Sequence, residues 1–268
     1  MEQPPALAGA LAPLLRTRRF GRALRAFATI GSTNTEAAAW AAEGAPEGAV
    51  VLAELQTAGR GRMGRTWEAR AGRNLTFSVV LRPSLPPERF GLLTLAASVA
   101  VAETVASFTA PLDAEIKWPN DVLLEGRKCC GMLLESSFSG QKRPTVILGI
   151  GLNVNQDAFP PALAERATSM LLATGRRTPR APLLAALLAR LEPAYDRLVH
   201  DGGAAVRQAY EARLSGLGRR ATLYLSGTRA PVRGVLAGIT ETGALRVETG
   251  DGLRLFHAGE VSFSPPNP

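Results

Sequence analysis

The sequence predicts an α/β (α+β) chain in two parts, a central mixed β-sheet flanked by helices and then a small C-terminal β-barrel. Three observations carry this expectation. The 268 residues are 46% apolar, enough for one sizeable core and a satellite, because single cores stop growing near about 250–300 residues. Helical and strand patterns alternate from Thr33 to about Val199, as in a sheet covered by helices. Beyond Arg220 only short β-rich runs between glycine turns remain, as in a small barrel.

Each element has a local cause. Residues 1–27, rich in Ala, Leu, Pro and Arg, read as an extension with one short amphipathic helix. Ser32 or Thr33 caps a helix to Glu43, with Glu36 placed as in a capping box. Val50 to Glu54 is a buried strand, Gly59 to Arg65 a loop outside regular structure, and Asn74 to Leu81 an alternating strand. Pro86 and Pro87 introduce a helix over Arg89 to Phe108. Strands follow at Ala114–Trp118, Asp121–Leu124, Cys130–Ser136 and Thr145–Asn153, then helices at Pro182–Val199 and Ala204–Leu214. Gly216 to Gly218 marks a linker, and Ala221–Leu225, Val232–Leu236 and Ala244–Val247 are barrel strands. The domain division is therefore 28–215 and 219–264.

Composition narrows the class. The longest apolar stretch, Leu92 to Ala102, reads as too short and interrupted for a bilayer, and no signal-type h-region opens the chain. A soluble, cytoplasmic protein with no membrane partner is expected. The two cysteines are adjacent, Cys129 and Cys130; a vicinal pair rarely reaches good disulfide geometry, so they read as reduced structural thiols. The net charge of +8 is spread without a basic block, fitting nucleotide phosphates or an acidic partner as well as nucleic acid. Of 31 cationic side chains only Lys117, Lys128 and Lys142 are lysine, so a retained lysine points to a need for a compact ammonium.

Three segments carry chemistry. Gly59-Arg60-Gly61-Arg62-Met63-Gly64-Arg65 sets three arginines among three glycines, a device for anions, with Trp67 beyond it as an apolar lid. It is not a Walker A loop. Lys117-Trp118-Pro119-Asn120-Asp121 exposes an ammonium, an amide and a carboxylate at a strand end, where phosphate or a divalent cation finds partners. A hairpin from Asp121 brings Lys128, in Arg127-Lys128-Cys129-Cys130-Gly131, back beside Lys117. Gly149-Ile150-Gly151-Leu152-Asn153 is a strand suited to close approach by a flat ligand. Ser32-Thr33-Asn34 clusters polar groups. His200 and His257 stand alone in the sequence, indicating neither a histidine metal site nor a triad.

In this order, these segments resemble the biotin protein ligase family over roughly Phe27 to Phe263. The glycine-arginine loop and Lys117 to Asp121 are the specific motifs; the others support them. The resemblance implies an α/β catalytic domain over 28–215 and an SH3-like barrel over 219–264. It implies two steps, formation of biotinyl-5′-AMP and pyrophosphate from biotin and ATP with Mg²⁺, then transfer to a lysine of a biotin carboxyl carrier protein. Carried over residue by residue, Lys128 and Arg62 are catalytic. Ser32, Thr33, Asn34, Gln56, Arg60, Gly61, Arg62, Lys128, Gly131 and Gly151 bind biotin. Arg62, Arg65, Trp67, Lys117, Asn120, Lys128 and Asn153 bind nucleotide, and Asp121 is the candidate metal ligand. The loop is expected to be mobile when empty and ordered when occupied.

Many family members carry an N-terminal DNA-binding domain; with only about 27 residues before the core, none is expected here. Cys129-Cys130 replaces small or aliphatic residues, implying a site sensitive to thiol reagents. A homodimer is left open. Lipoate ligases and octanoyl transferases are the nearest alternative, but their R-R-x-x-G-G-G segment is missing. A basic nucleic-acid binder leaves Lys117 to Asp121 without a role, and a protein that only holds biotin is the third alternative.

Overall fold

The computed structural model describes residues 6–138, 144–225 and 230–263; Lys142 lies outside them. A short helix α1 (Ala6–Leu11) leads to β1 (Leu24–Ile30), α2 (Thr33–Ala42), β2 (Val50–Gln56) and β3 (Leu75–Leu81). Helix α3 (Gly91–Thr109) precedes β4 (Ala114–Lys117), β5 (Asp121–Leu124), β6 (Arg127–Ser137) and β7 (Thr145–Leu152). Four helices follow, α4 (Pro161–Ala164), α5 (Met170–Thr174), α6 (Arg180–Asp201) and α7 (Ala204–Glu211). The last strands are β8 (Arg220–Tyr224), β9 (Val232–Ile239), β10 (Leu245–Thr249), β11 (Gly252–Phe256) and β12 (Glu260–Ser262).

The first seven strands form one mixed sheet in the order β1-β2-β3-β7-β6-β5-β4. Strands β1 and β2 are parallel, joined by α2 as the crossover, and the remaining neighbours are antiparallel. Strand β1 was not anticipated; it begins inside the segment read as an extension. Its residues are only half-buried, so it lacks the apolar run that marks β2.

Alternation along the strands sends side chains to two different environments. Leu52, Phe77, Val79, Leu148 and Ile150 face the main core with α3 and α6. On the other face, Val51, Val80 and Ile147 pack under α2 against Ala37 and Ala41. Helix α2 covers only part of that second face. The part it leaves holds the site.

Helix α3 corrects one expectation. Residues Pro87–Thr109 are long and apolar enough to cross a membrane by length and composition, but 72% of their apolar 18-residue window is buried inside the protein. It is apolar all round because the sheet covers one side and α6 and α7 the other. The polar interruptions are satisfied within the helix: Ser98 donates to the Thr94 carbonyl at 2.9 Å and Thr104 to that of Ala100 at 2.7 Å.

The capping box is also corrected. Ser32 is the N-cap residue and its side chain makes no capping bond; Thr33 bonds Gln56, and Glu36 pairs with Arg25 at 2.9 Å. Both cap side chains are thereby released from helix termination.

The C-terminal strands form a five-stranded antiparallel sheet in the order β11-β10-β9-β8-β12. Strands β11 and β12 were missed, one because its leucines are exposed and the other because it has three residues. This sheet packs against the Lys117–Asp121 turn: Trp118 is buried and its Nε1 donates to the Gly243 carbonyl at 3.2 Å.

Candidate active site

Register places the floor of the site. On the face left open by α2, Thr76 pairs with Gly151, Gly151 with Gly131, Gly131 with Asp121, and Asp121 with Lys117. A second row joins Ser78, Gly149 and Leu133. Three bare glycines therefore lie between polar residues, and their missing side chains are used. A methyl on Gly149 would overlap Asn34, one on Gly151 would overlap Trp67, and one on Gly131 would lie 2.9 Å from Lys128 Nζ. Where the sequence suggested close approach by a flat ligand, the indole of Trp67 lies over Gly151.

The loop lies outside the named strands, as read, and folds as a tight hairpin closed by one isolated bridge between Arg60 and Thr66. Trp67 N–H donates to the Gly59 carbonyl at 3.0 Å and Gly61 N–H to that of Arg65 at 2.7 Å. Met63 and Gly64 at its tip both have positive φ, 57° and 72°, the combination that matches a two-residue hairpin turn. The hairpin roofs the floor, with Trp67 folded underneath.

One cleft is lined by Ser32, Thr33, Asn34, Gln56, Arg60, Gly61, Arg62, Lys128, Gly131 and Gly151, together with Trp67 and Asn120. All ten residues expected at the biotin position thus line one cavity. At one end the groups are neutral. Gln56 Oε1 accepts from Thr33 N–H at 2.7 Å, with the Thr33 hydroxyl 2.9 Å away, and Ser78 Oγ lies 2.8 Å from Thr33 Oγ1 and 2.6 Å from Asn34 Oδ1. Three oxygen contacts share two hydroxyl protons, so lone pairs remain for a ligand's N–H groups. Gln56 Oε1 is already occupied, which leaves its amide N–H₂ as a donor.

The other end is ionic. Lys128 Nζ sits 2.7 Å from Asp121 Oδ1 and 5.7 Å from the centre of the Trp67 ring. Its backbone is held on both sides, donating to the Arg166 carbonyl at 2.8 Å and accepting from Thr168 N–H at 2.9 Å. Lys128 meets Asp121 rather than Lys117 because the β5–β6 register shifts between Val122 and Leu123. Arg62 donates to Asn120 Oδ1 at 3.1 Å, while Asn120 Nδ2 is anchored on the Met132 carbonyl at 2.7 Å. Burial pushes the Arg62 guanidinium below its ordinary pKa, opposed by Asp121. It stays cationic, since arginine does not deprotonate in proteins, and a bound anion would relieve that burial.

The remaining expected residues lie apart from the cleft lining. Arg65 faces an outer groove between the hairpin and the C-terminal sheet and is ion-paired with Glu260 of β12. That bond raises the pKa of Arg65, while Arg65 holds the Glu260 carboxyl below the usual carboxylate range. Lys117 flanks Asp121 on the floor row. Asn153 is buried, its Nδ2 donating to the Thr168 carbonyl at 3.1 Å, its Oδ1 without a partner. Sequence reading missed Ser78, Glu135 and the 166–168 segment behind Lys128; Ser78 carried a signal, a hydroxyl two residues after that of Thr76 in an otherwise apolar strand.

Cys129 and Cys130 correct the expected thiol sensitivity. Both are fully buried, and desolvation pushes the Cys129 thiol up to about 12 and the Cys130 thiol well above its ordinary value. Thiolate is the reactive form. The folded protein at pH 8 is therefore expected to leave both thiols unmodified by a disulfide reagent over the time that denatured protein reacts fully. Prompt release of one equivalent from folded protein would contradict this burial.

A polar pocket for a neutral head, next to an ammonium and a roofing arginine, on a mixed α/β sheet, defines a class of proteins that hold a small carboxylate against a phosphate. The matching family models agree with that class: residues 26–153 match the Biotin/lipoate A/B protein ligase family, and residues 217–264 the Biotin protein ligase C terminal domain. The chain is 36% identical over 252 residues to the bifunctional ligase/repressor BirA of Bacillus spizizenii, covering 93% of this chain and 76% of that protein. It is 38% identical over 246 residues to the biotin--[acetyl-CoA-carboxylase] ligase of Mycobacterium tuberculosis, covering 90% and 88%. The biotin protein ligase from Aquifex aeolicus, solved in complex with biotin and ATP, superposes with a TM-score of 0.77 at 29% identity, covering 90% of this chain and 98% of that one. The chain belongs to the biotin protein ligase family.

Proposed function

We propose that this protein activates biotin with ATP and transfers it to a lysine of a biotin carboxyl carrier protein. The observation that carries this reading is one cleft with the Thr33–Gln56–Ser78 network at one end and the Lys128 ammonium at the other. Residues 28–215 act as the catalytic domain and 219–264 as a domain that braces the hairpin, and the cytoplasm, where ATP and the carrier meet, is the site of action.

In the first step a biotin carboxylate oxygen attacks the α-phosphorus and the bond to pyrophosphate breaks. Two anions must approach, so a cation between them is the largest electrostatic need. Lys128 supplies it, paired with Asp121 and set at fixed height by the glycine floor. Gln56 donates to the ureido carbonyl, and the Ser32 and Thr33 hydroxyls accept from its N–H groups. Arg62 holds the acyl phosphate under the hairpin, and Trp67 offers its ring face to the adenine. Arg65 reaches phosphate only once released from Glu260. In the second step the carrier amine attacks the acyl carbon, AMP leaves, and the amine loses its proton.

Among the described residues no three acidic, histidine or cysteine side chains converge. Mg²⁺ at nucleotide sites is held by phosphates with one or two carboxylates, and Asp121 fits that part. When bound, the ion neutralises phosphate charge.

Biotin-dependent exchange of labelled pyrophosphate into ATP tests the function, with lipoate and octanoate beside it. Exchange with biotin alone is expected; exchange with lipoate instead would move the protein to the sister activity. Closure of the roof is tested by limited trypsin digestion: biotin plus ATP is expected to protect the arginines between Gly59 and Trp67, and equal cleavage with and without ligands would remove the lid.

A further inference from the structure

We propose that Glu135 is a positioning residue that fastens the arginine hairpin to the wall of the biotin pocket, an inference that rests on the ligase reading above. Glu135 lies on β6, two residues beyond Leu133 and four beyond Gly131, and alternation places all three on the cleft face of the sheet. Its carboxylate joins three chain segments: β6, the first turn of α2 and the arginine hairpin. Oε2 accepts from Asn34 Nδ2 at 2.6 Å, and both oxygens accept from Arg60 Nη2 at 3.0 Å. Arg60 Nη1 also donates to Thr35 Oγ1 at 3.0 Å.

Charge explains why the carboxylate is needed. Thr33, Asn34 and Thr35 form the first turn of α2, where unpaired N–H groups favour anions and disfavour cations. Arg60 is therefore a cation held at the wrong end of a helix, and Glu135 is the anion that makes its place tenable. Without Glu135 the guanidinium loses its anionic partner and keeps only the Thr35 hydroxyl, and the hairpin loses its bond to β6. The same carboxylate fixes the sense of the Asn34 amide. With Nδ2 turned to Glu135, Oδ1 is turned to Ser78, 2.6 Å away, which sets the proton arrangement running through Thr33 to Gln56. One side chain thus governs both the roof and the polarity of the pocket.

The test uses the full-length protein with E135A, E135Q, R60A and the double variant R60A/E135A. Each is measured for the biotin KM and kcat of pyrophosphate exchange, for the rate of trypsin cleavage after Arg62 and Arg65 without ligand, and for Tm. E135A is expected to raise the biotin KM about tenfold, the scale of coupling within one hydrogen-bonded network, with a smaller change in kcat. Cleavage should be faster and Tm nearly unchanged. E135Q, which keeps one acceptor oxygen, should fall between, and serves alone if E135A does not fold. In cleavage rate the double variant should be no worse than R60A, because both remove the Glu135–Arg60 bond, while its biotin KM keeps the added loss that Glu135 exerts through Asn34. Wild-type KM and cleavage in E135A, or cleavage effects that multiply in the double variant, would overturn the proposal. If the wild-type protein itself shows no biotin-dependent exchange, the ligase reading fails, and the cleavage rates and their cycle still decide whether Glu135 fastens the hairpin.

Discussion

Lys128→Ala is expected to lower biotin-dependent pyrophosphate exchange by about 10²–10³-fold, the usual loss when a preorganised donor to developing phosphate charge is removed. Nothing else described at the ionic end of the cleft can take its place. Asp121 is of the wrong sign, Arg62 is engaged with Asn120, and Lys117 lies on the far side of Asp121. The loss should fall mainly on kcat, because the neutral end of the cleft is untouched and biotin should still bind. Lys128→Arg should not restore activity. The ammonium is seated so close to the floor that a single methyl on Gly131 would lie 2.9 Å away, and a planar guanidinium needs more room and different geometry. Equilibrium binding of biotin to the alanine variant, beside the exchange assay, separates binding from chemistry. Full exchange in that variant would remove Lys128 from the mechanism.

Arg62→Gly is expected to leave adenylate formation measurable but release the intermediate. Arg62 reaches from the hairpin across the cleft to Asn120 and is the cation of the roof; hydrogen bonds to charged groups contribute about 1.5–3 kcal/mol, so escape should quicken by roughly ten- to a hundredfold. Free biotinyl-5′-AMP acylates exposed amines, so the variant should label unrelated proteins added to the reaction, in proportion to their accessible lysines. Competing hydroxylamine in solution should intercept that labelling while sparing carrier modification by the wild-type protein. Unchanged carrier selectivity in the variant would refute the retention role.

Much of this site was legible in the sequence because its parts are unusual where they stand. Three arginines among three glycines are hard to place in a core, and a lysine in a chain that otherwise uses arginine marks a need for a compact charge. The sheet was legible from β2 through β7 because apolar runs alternate with turns there. What escaped detection depended on partners distant in sequence. Strand β1 becomes a strand only because β2 pairs with it, and its half-exposed residues show no period of their own. The hairpin was hidden by composition, since the tip is formed by a methionine at positive φ rather than by glycines alone. Glu135 reads as an ordinary solvent-facing strand residue until Arg60 arrives from 75 positions away. The thiol expectation failed for a related reason: a cysteine pair in place of small or aliphatic residues before Gly131 suggested reagent access to the site, whereas alternation turns Cys130 into the core and burial outweighs the neighbouring charge for both thiols.

The floor of the cleft runs across the strands, not along them. Thr76, Gly151, Gly131, Asp121 and Lys117 come from five strands and meet only through pairing. Because side chains alternate faces, inserting or deleting one residue within any of these strands turns its contribution to the opposite side. Chain length inside the strands is therefore constrained more tightly than residue identity. Gene-level frameshift-free indels that surface loops absorb would here dismantle the site while leaving every motif intact in the sequence.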